Sequence, residues 1–429
     1  MKKIQCFTIY IILALLASGC SVLSDGNAVS INDPTDLLVD IYFIEEGEAF
    51  SIDTNPNIFE LPDNYKRELD QVLLATESEW ERYREVRRWI NRSFKDFDFD
   101  TTETFSLVEL GARRKINCLS FSTMFVAAAR YADIPANFQL VFAPPYWDKN
   151  GNNWVNNQHI NVTGTVKAPL NSDYTDSLIS ATSNALFNPT GSGYPVFIKH
   201  GNIVAKANEL RTQRYTVDIN PAIINVTIRR ELIGEHQVLS LYHSNKSMEA
   251  LLKNDLLRAY AHTKEALIVD SNSVVAWNNL GVLYSKVGQT VLSIAAYERA
   301  IAIDERMYSA KSNLATAYRS QGEIGLAQEL ERQVEDYRNQ NPYYHSALAD
   351  ASMAEGNYGL AINQLQAAVS KKQNEHYFYH QLAIAHQQLG DMDAVIEDLT
   401  KARSYARGSE KARFSGKVRA LQAILTGSN

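Results

Sequence analysis

Cysteine is scarce: three residues, Cys6, Cys20 and Cys118, in a chain of 429. That count cannot build the even framework that staples small secreted domains, so a disulfide-rich scaffold is excluded. Basic residues are in deficit too, 42 against 49 acidic, for a net charge of −7. Proteins built to hold nucleic acid show a basic footprint instead, so no nucleic-acid partner is expected. After the first twenty positions no apolar run reaches the ~18 residues that a spanning helix needs. Phosphate-binding loops are missing, since Gly191-Ser192-Gly193 lacks the strand, helix and lysine that such a cradle requires. Neither paired cysteines nor His-x-x-x-His spacing occurs, so no metal and no other cofactor is expected. What remains is an ordinary globular composition, 45% hydrophobic and 21% charged. The length suffices for roughly two or three domains.

The first twenty residues stand apart. Lys2 and Lys3 precede an almost unbroken apolar run from Phe7 to Leu16, and the small residues Ala17-Ser18-Gly19 lead to Cys20. This is the build of a secretory signal peptide, too short to be read as a membrane span. Leu16-Ala17-Ser18-Gly19-Cys20 resembles the processing box of bacterial lipoproteins, with Ala17 where leucine is commoner. The resemblance implies that residues 1–19 are removed and that residues 20–34 form a lipidated Cys20 and its tether. Two or more acyl chains anchor stably where one binds only marginally. Ser21, rather than an aspartate, follows the cysteine, which implies the outer membrane, facing the periplasm, in a cell with two membranes. An ordinary signal peptide cut near Gly19 is the alternative. The mature chain would hold 40 basic and 49 acidic side chains, a net of −9.

A fixed period governs the C-terminal half. Leu280, Leu314, Leu348 and Leu382 step by 34, as do Gly288, Gly322, Gly356 and Gly390. The residues after the leucines are small (Gly281, Ala315, Ala349, Ala383), and Ala300, Val334, Ala368 and Ala402 recur in the same register. With Trp277, Tyr284, Tyr318, Ala327 and Ala361 this resembles tetratricopeptide repeats, each a pair of antiparallel helices. A single pair cannot bury its own apolar face, so units stack into a solenoid. Ala259, Ala266 and Asp270 fall in register with Ser293, Ala300 and Asp304, marking a divergent first repeat from about Val238. The repeats, about five, occupy 238–407, and the basic segment 408–429 reads as a capping helix. Such solenoids bind proteins or peptides, and Tyr343, Tyr344, His345, His376, Tyr377, Tyr379 and His380 are either a recognition surface or interhelix packing.

Residues 35–235 have a different texture. Helical periodicity runs from about Asn64 to Phe94. Asn117-Cys118 opens an alanine-rich apolar helix that ends near Asp133-Ile134-Pro135, a strand follows over Ala136–Phe142, and a short strand begins at His159. A thiol at a helix start sees the positive partial charge of unpaired amides, which favours the thiolate. A histidine can take its proton, and an acid can fix the ring's tautomer. Alternation along the strand puts His159 and Asn161 on one face and Ile160 and Val162 in the core, so Asn161 is expected to line a cleft. Trp147 and Trp154, in the polar loop before His159, read equally as a substrate wall or as loop packing.

Asn117-Cys118, the Ala-Arg-Tyr-Ala-Asp-Ile-Pro-Ala run and a strand-borne His159 resemble the transglutaminase-like superfamily, over about 120 residues. The resemblance implies an α+β papain-like domain with a Cys118–His159–Asp218 triad, Asp218 chosen from Tyr215-Thr216-Val217-Asp218-Ile219-Asn220-Pro221 over Asp173 and Asp176. Asn161 stands where many relatives have an aromatic residue. Two functions remain open. One is a cysteine peptidase or transamidase acting on peptide-type amides, with repeats that recruit a protein partner. The other is a non-catalytic peptide-binding or assembly lipoprotein on a degenerate fold of the same kind.

Overall fold

A computed structural model of the chain describes residues 37–44, 51–54, 56–100, 103–142, 147–150, 153–156, 159–168, 197–201, 211–219, 229–406 and 408–426. The expected leader, Cys20 and most of its tether, Asp173, Asp176 and Gly191–Gly193 lie outside the described residues. The chain divides into two units. One holds the residues up to Thr54, Lys149–Trp154 and His236–Glu331; the other holds Asn55–Asp148, Val155–Glu235 and Arg332–Asn429.

In the second unit the α/β body opens with α1 (Asp63–Leu73) and α2 (Glu79–Phe94). Ser78 and Glu81 close a reciprocal capping box at the start of α2, satisfying two amides that the helix itself cannot. Trp80, Tyr83, Val86, Trp89, Ile90 and Phe94 recur at helical spacing along α2 and are all buried. Next come β1 (Asp98–Phe99), α3 (Leu107–Arg113), β2 (Lys115–Ile116) and α4 (Cys118–Tyr131). α4 is buried from Leu119 through Ala129, as expected of a helix that is apolar all round.

The strands are β3 (Ala136–Val141), β4 (Trp147–Asn150), β5 (Asn153–Asn156), β6 (His159–Ala168), β7 (Phe197–Gly201), β8 (Arg211–Asp218) and β9 (Arg230–Ile233). Five of them form an antiparallel sheet in the order β7-β8-β6-β3-β9, with Phe138 opposite Val162 and Val162 opposite Val217. Tyr215 of β8 packs between Tyr83 of α2 and Phe125 of α4, at 4.8 and 6.1 Å between ring centres. Its hydroxyl donates to Pro135 O at 2.7 Å. Gly164 lies opposite, and a Cβ there would sit 2.1 Å from Pro135 O and 2.5 Å from the Tyr215 hydroxyl oxygen. The ring closes onto the sheet only because that position has no side chain.

The helices that follow are α5 (Glu235–Leu252), α6 (Leu256–Val269), α7 (Val274–Lys286), α8 (Thr290–Ile303), α9 (Tyr308–Ser320) and α10 (Ile324–Gln340). After them run α11 (Pro342–Ala354), α12 (Tyr358–Lys371), α13 (His376–Gln388), α14 (Met392–Tyr405) and α15 (Gly408–Thr426). The four period-marking glycines sit between paired helices with φ of 74 to 83°, the left-handed conformation that glycine adopts without cost. The first unit is cored by Trp277, Leu280, Tyr284, Tyr297 and Leu314. Ala349, Leu365, Leu382, Leu399, Phe414 and Val418 form a separate core in the second, the last two from α15.

Two expectations change here. Tyr379 and His380 are buried, Tyr379 stacked on Tyr405 and His380 against Phe414, so both pack helices together and recognise nothing. Residues 37–44, placed by sequence in the α/β domain, join the repeat core instead, with Leu37 only 2% exposed. The run Leu37-Leu38-Val39-Asp40-Ile41-Tyr42-Phe43-Ile44 has to bury its apolar side chains, and the rings of Tyr260 and Tyr284 receive them.

Candidate active site

Three elements bring the predicted triad together. α4 begins at Cys118, β6 begins at His159 and β8 ends at Asp218. Asn117 sets the helix start: its Oδ1 accepts from Ser120 N at 2.8 Å, and its Nδ2 donates to Glu103 O at 3.0 Å and to Thr104 Oγ1 at 2.7 Å. The Ser120 hydroxyl bridges back to both the N–H and the C=O of Phe105. Cys118 is therefore held at the first helical position between a capped turn and the 103–105 segment. No acidic side chain occupies that turn, so nothing offsets the positive end of the helix dipole. The thiol is half-buried and unpaired with any other cysteine.

His159 Nε2 lies 2.8 Å from Asp218 Oδ1, with the Asp218 side chain fully buried. That contact leaves Nδ1 as the ring nitrogen for Cys118, which acts on His159 both as a hydrogen-bond partner and as a charge. Burial pulls the imidazole down, but the Asp218 charge and hydrogen bond, with Cys118, outweigh it and push it up to about 10. Burial pulls the Arg230 guanidinium of β9 below its ordinary value, and the Asp218 charge works against that.

Asn161 corrects an expectation. It has no exposed surface and does not line a cleft; its Nδ2 donates to Asp218 Oδ2 at 2.9 Å. The reason is its place in the sheet. β6 is the central strand, and Ile160 to Gly164 are buried on both faces. Alternation identifies the face a residue shares with His159, but not whether water reaches it. Trp147 and Trp154 fall in β4 and β5, and their side chains lie outside the described residues. Sequence reasoning also missed the ties from Asn117 to Glu103 and Thr104; only the Asn117–Ser120 spacing, that of a helix cap, hinted at them. Among the described residues no group of three or more His, Cys, Asp or Glu is placed to hold a metal, and no helix is long and apolar enough to cross a membrane.

The tetratricopeptide repeat family model matches residues 274–306, which span α7 and α8. Among curated proteins none matches the chain. Solved structures that resemble it include "Crystal structure of MamA protein", 19% identical over 40% of this chain and 93% of that one, with a TM-score of 0.23. The Desulfovibrio magneticus RS-1 structure "MamA 41-end" is 15% identical over 40% and 96%, TM-score 0.23. A third, "YrrB: a TPR protein with an unusual peptide-binding site", is 17% identical over 39% and 86%, again with a TM-score of 0.23. The C-terminal part is thus a tetratricopeptide solenoid, a class of scaffold that mediates protein or peptide binding, and it follows a small sheet-bearing body.

Proposed function

We propose that this protein is an envelope-anchored cysteine hydrolase or acyltransferase with a transglutaminase-like body, acting on peptide-type amides, its repeats recruiting a protein partner. The reading is carried by one observation: His159 bonded to buried Asp218 at 2.8 Å while Cys118, at a helix start, bears on the same ring. In the proposed step the Cys118 sulfur attacks the amide carbonyl carbon. The oxyanion that forms faces the N–H of Cys118, which has no intrahelical acceptor at the first position of α4. The imidazolium gives its proton to the leaving amine as the C–N bond breaks, and a thioester remains. Water, or an acceptor amine, then loses a proton to His159 as it attacks the thioester, and the thiol is released. Asp218 holds the ring and offsets its charge, and Asn161 holds Asp218. No cofactor enters. Acylation of Cys20 would tether the body to the membrane facing the periplasm.

The test is alkylation of Cys118 by iodoacetamide in the full chain. A thiol paired with imidazolium reacts at a rate nearly flat between about pH 6 and 8, whereas in His159→Ala the rate rises about tenfold per pH unit, as for an ordinary thiol. Slow, steeply pH-dependent labelling in the wild type would instead support the non-catalytic peptide-binding reading. Recovery of an acylated peptide from Cys118 in envelope fractions would identify the substrate.

A further inference from the structure

Residues 37–44 lie on the seam between α6 and α7 as a bound peptide would. The Tyr284 hydroxyl donates to Leu37 O and accepts from Val39 N at 3.1 Å, so one side chain reads the backbone on either side of Leu38. A short 3-10 turn over Asp40–Tyr42, closed by Phe43 N and Ile44 N donating to Asp40 O, sets Asp40 and Phe43 on the same face. Asp40 takes Lys264 Nζ at 2.8 Å on each oxygen and the Tyr260 hydroxyl at 2.8 Å. Phe43 stacks on the Tyr260 ring at 4.2 Å and 12°, and its ring centre is 5.6 Å from that of Tyr284. Leu37 is buried beneath, while Ile41 points to solvent at 66% exposure.

These contacts divide as they do in peptide recognition: backbone bonds give register, and an apolar, an acidic and an aromatic side chain give selectivity. The site is built from side chains of the repeats alone, on Tyr260, Lys264 and Tyr284. The part of the segment that reaches it is eight residues long, and the contacts it makes are ones that any chain with the same pattern would reproduce.

We propose that the α6–α7 seam is a peptide-binding site for the pattern Leu-x-x-Asp-x-x-Phe, filled in cis by residues 37–44, and that a partner protein engages the repeats by presenting this pattern and displacing that segment. The proposal builds on the reading of the repeats as a recruiting surface and owes nothing to Cys118. It can fail alone, because a partner bound elsewhere on the solenoid would leave the seam indifferent to the peptide. Being on the same chain, the cis segment has an effective concentration on the order of 1 mM. Against a peptide affinity on the order of 10 μM, that masks the seam by about a hundredfold.

The experiment is fluorescence anisotropy of a labelled peptide with the sequence of residues 35–45, titrated with the full-length chain. The Asp40→Ala/Phe43→Ala double variant, which empties the seam and leaves its walls intact, should bind at least tenfold more tightly than the wild type. Adding Lys264→Ala should abolish the gain. Equal binding by wild type and double variant, with unchanged helical circular dichroism, overturns the proposal, as does a gain that survives Lys264→Ala. Should the double variant unfold, Lys264→Glu, a change at a half-exposed side chain, takes its place. It should prefer a peptide carrying lysine at the Asp40 position, and equal binding of the two peptides would refute the site.

Discussion

Replacing Asp218 by asparagine keeps the shape of the site and removes one charge. His159 is held at about 10 against an ordinary value of 6.5. At ~1.36 kcal/mol per unit, the surroundings favour the imidazolium by roughly 4–5 kcal/mol. Burial acts in the opposite direction and is the largest single influence on the ring, so in Asp218→Asn the folded value should fall below 6.5. The sign of the stability profile then reverses. In the wild type the folded value exceeds the unfolded one, so the contribution of His159 is complete below about pH 6.5 and is lost as pH rises through about 10. In the variant the contribution is complete above pH 6.5 and is lost on acidification. The measurements are the His159 ring resonance by NMR across pH, and urea midpoints of the sheet-bearing unit at stepped pH. A His159 resonance that still titrates near 10 in Asp218→Asn, or urea midpoints whose pH slopes share one sign, would refute the reasoning.

Four further outcomes are expected. Asn161→Ala removes a fully buried, charge-assisted donor from Asp218 and should cost about 1.5–3 kcal/mol in urea unfolding, with a fall in the His159 titration. Asn117→Ala loses the cap of α4 and its ties to Glu103 and Thr104; a cost of about 1–2 kcal/mol and slower alkylation of Cys118 should result, with much of both restored in Asn117→Ser. Gly164→Ala forces a methyl against Pro135 O and the Tyr215 ring, and thermal unfolding should show a loss of about 1–3 kcal/mol. In the repeats, burial and the neighbouring His243 hold His262 down at about 3. Its folded value is below the unfolded one, so the contribution it makes above pH 6.5 should be lost as pH falls toward 3. Circular dichroism should show that His262→Gln flattens this slope.

The parts of the site that were legible in the sequence are those set by local chemistry. Asn117, Cys118 and Ser120 spell a helix start within four positions, and the period of 34 repeats its markers often enough to read without a structure. Asp218 had a weaker warrant, a likeness to other chains at a strand end, and the strand pairing that carries it to His159 spans 59 positions. Asn161 was misread for a definite reason. Strand alternation fixes the face a side chain shares, whereas exposure depends on what covers that face, and the covering residues come from other parts of the chain.

The segment at 37–44 shows the same limit more sharply. Its eight residues, one acid among seven apolar side chains, fit a buried strand of the sheet as well as they fit a groove in the repeats. The choice between these is made by Tyr284, 247 positions away from the carbonyl it binds, and by Tyr260 and Lys264, 220 and 224 positions from Asp40. No local pattern encodes a contact at that separation. The unpaired acid is the residue that would have discriminated. A carboxylate in the middle of an apolar core strand is costly without a partner, so Asp40 demands a cation and a hydroxyl, and the repeat helices supply both.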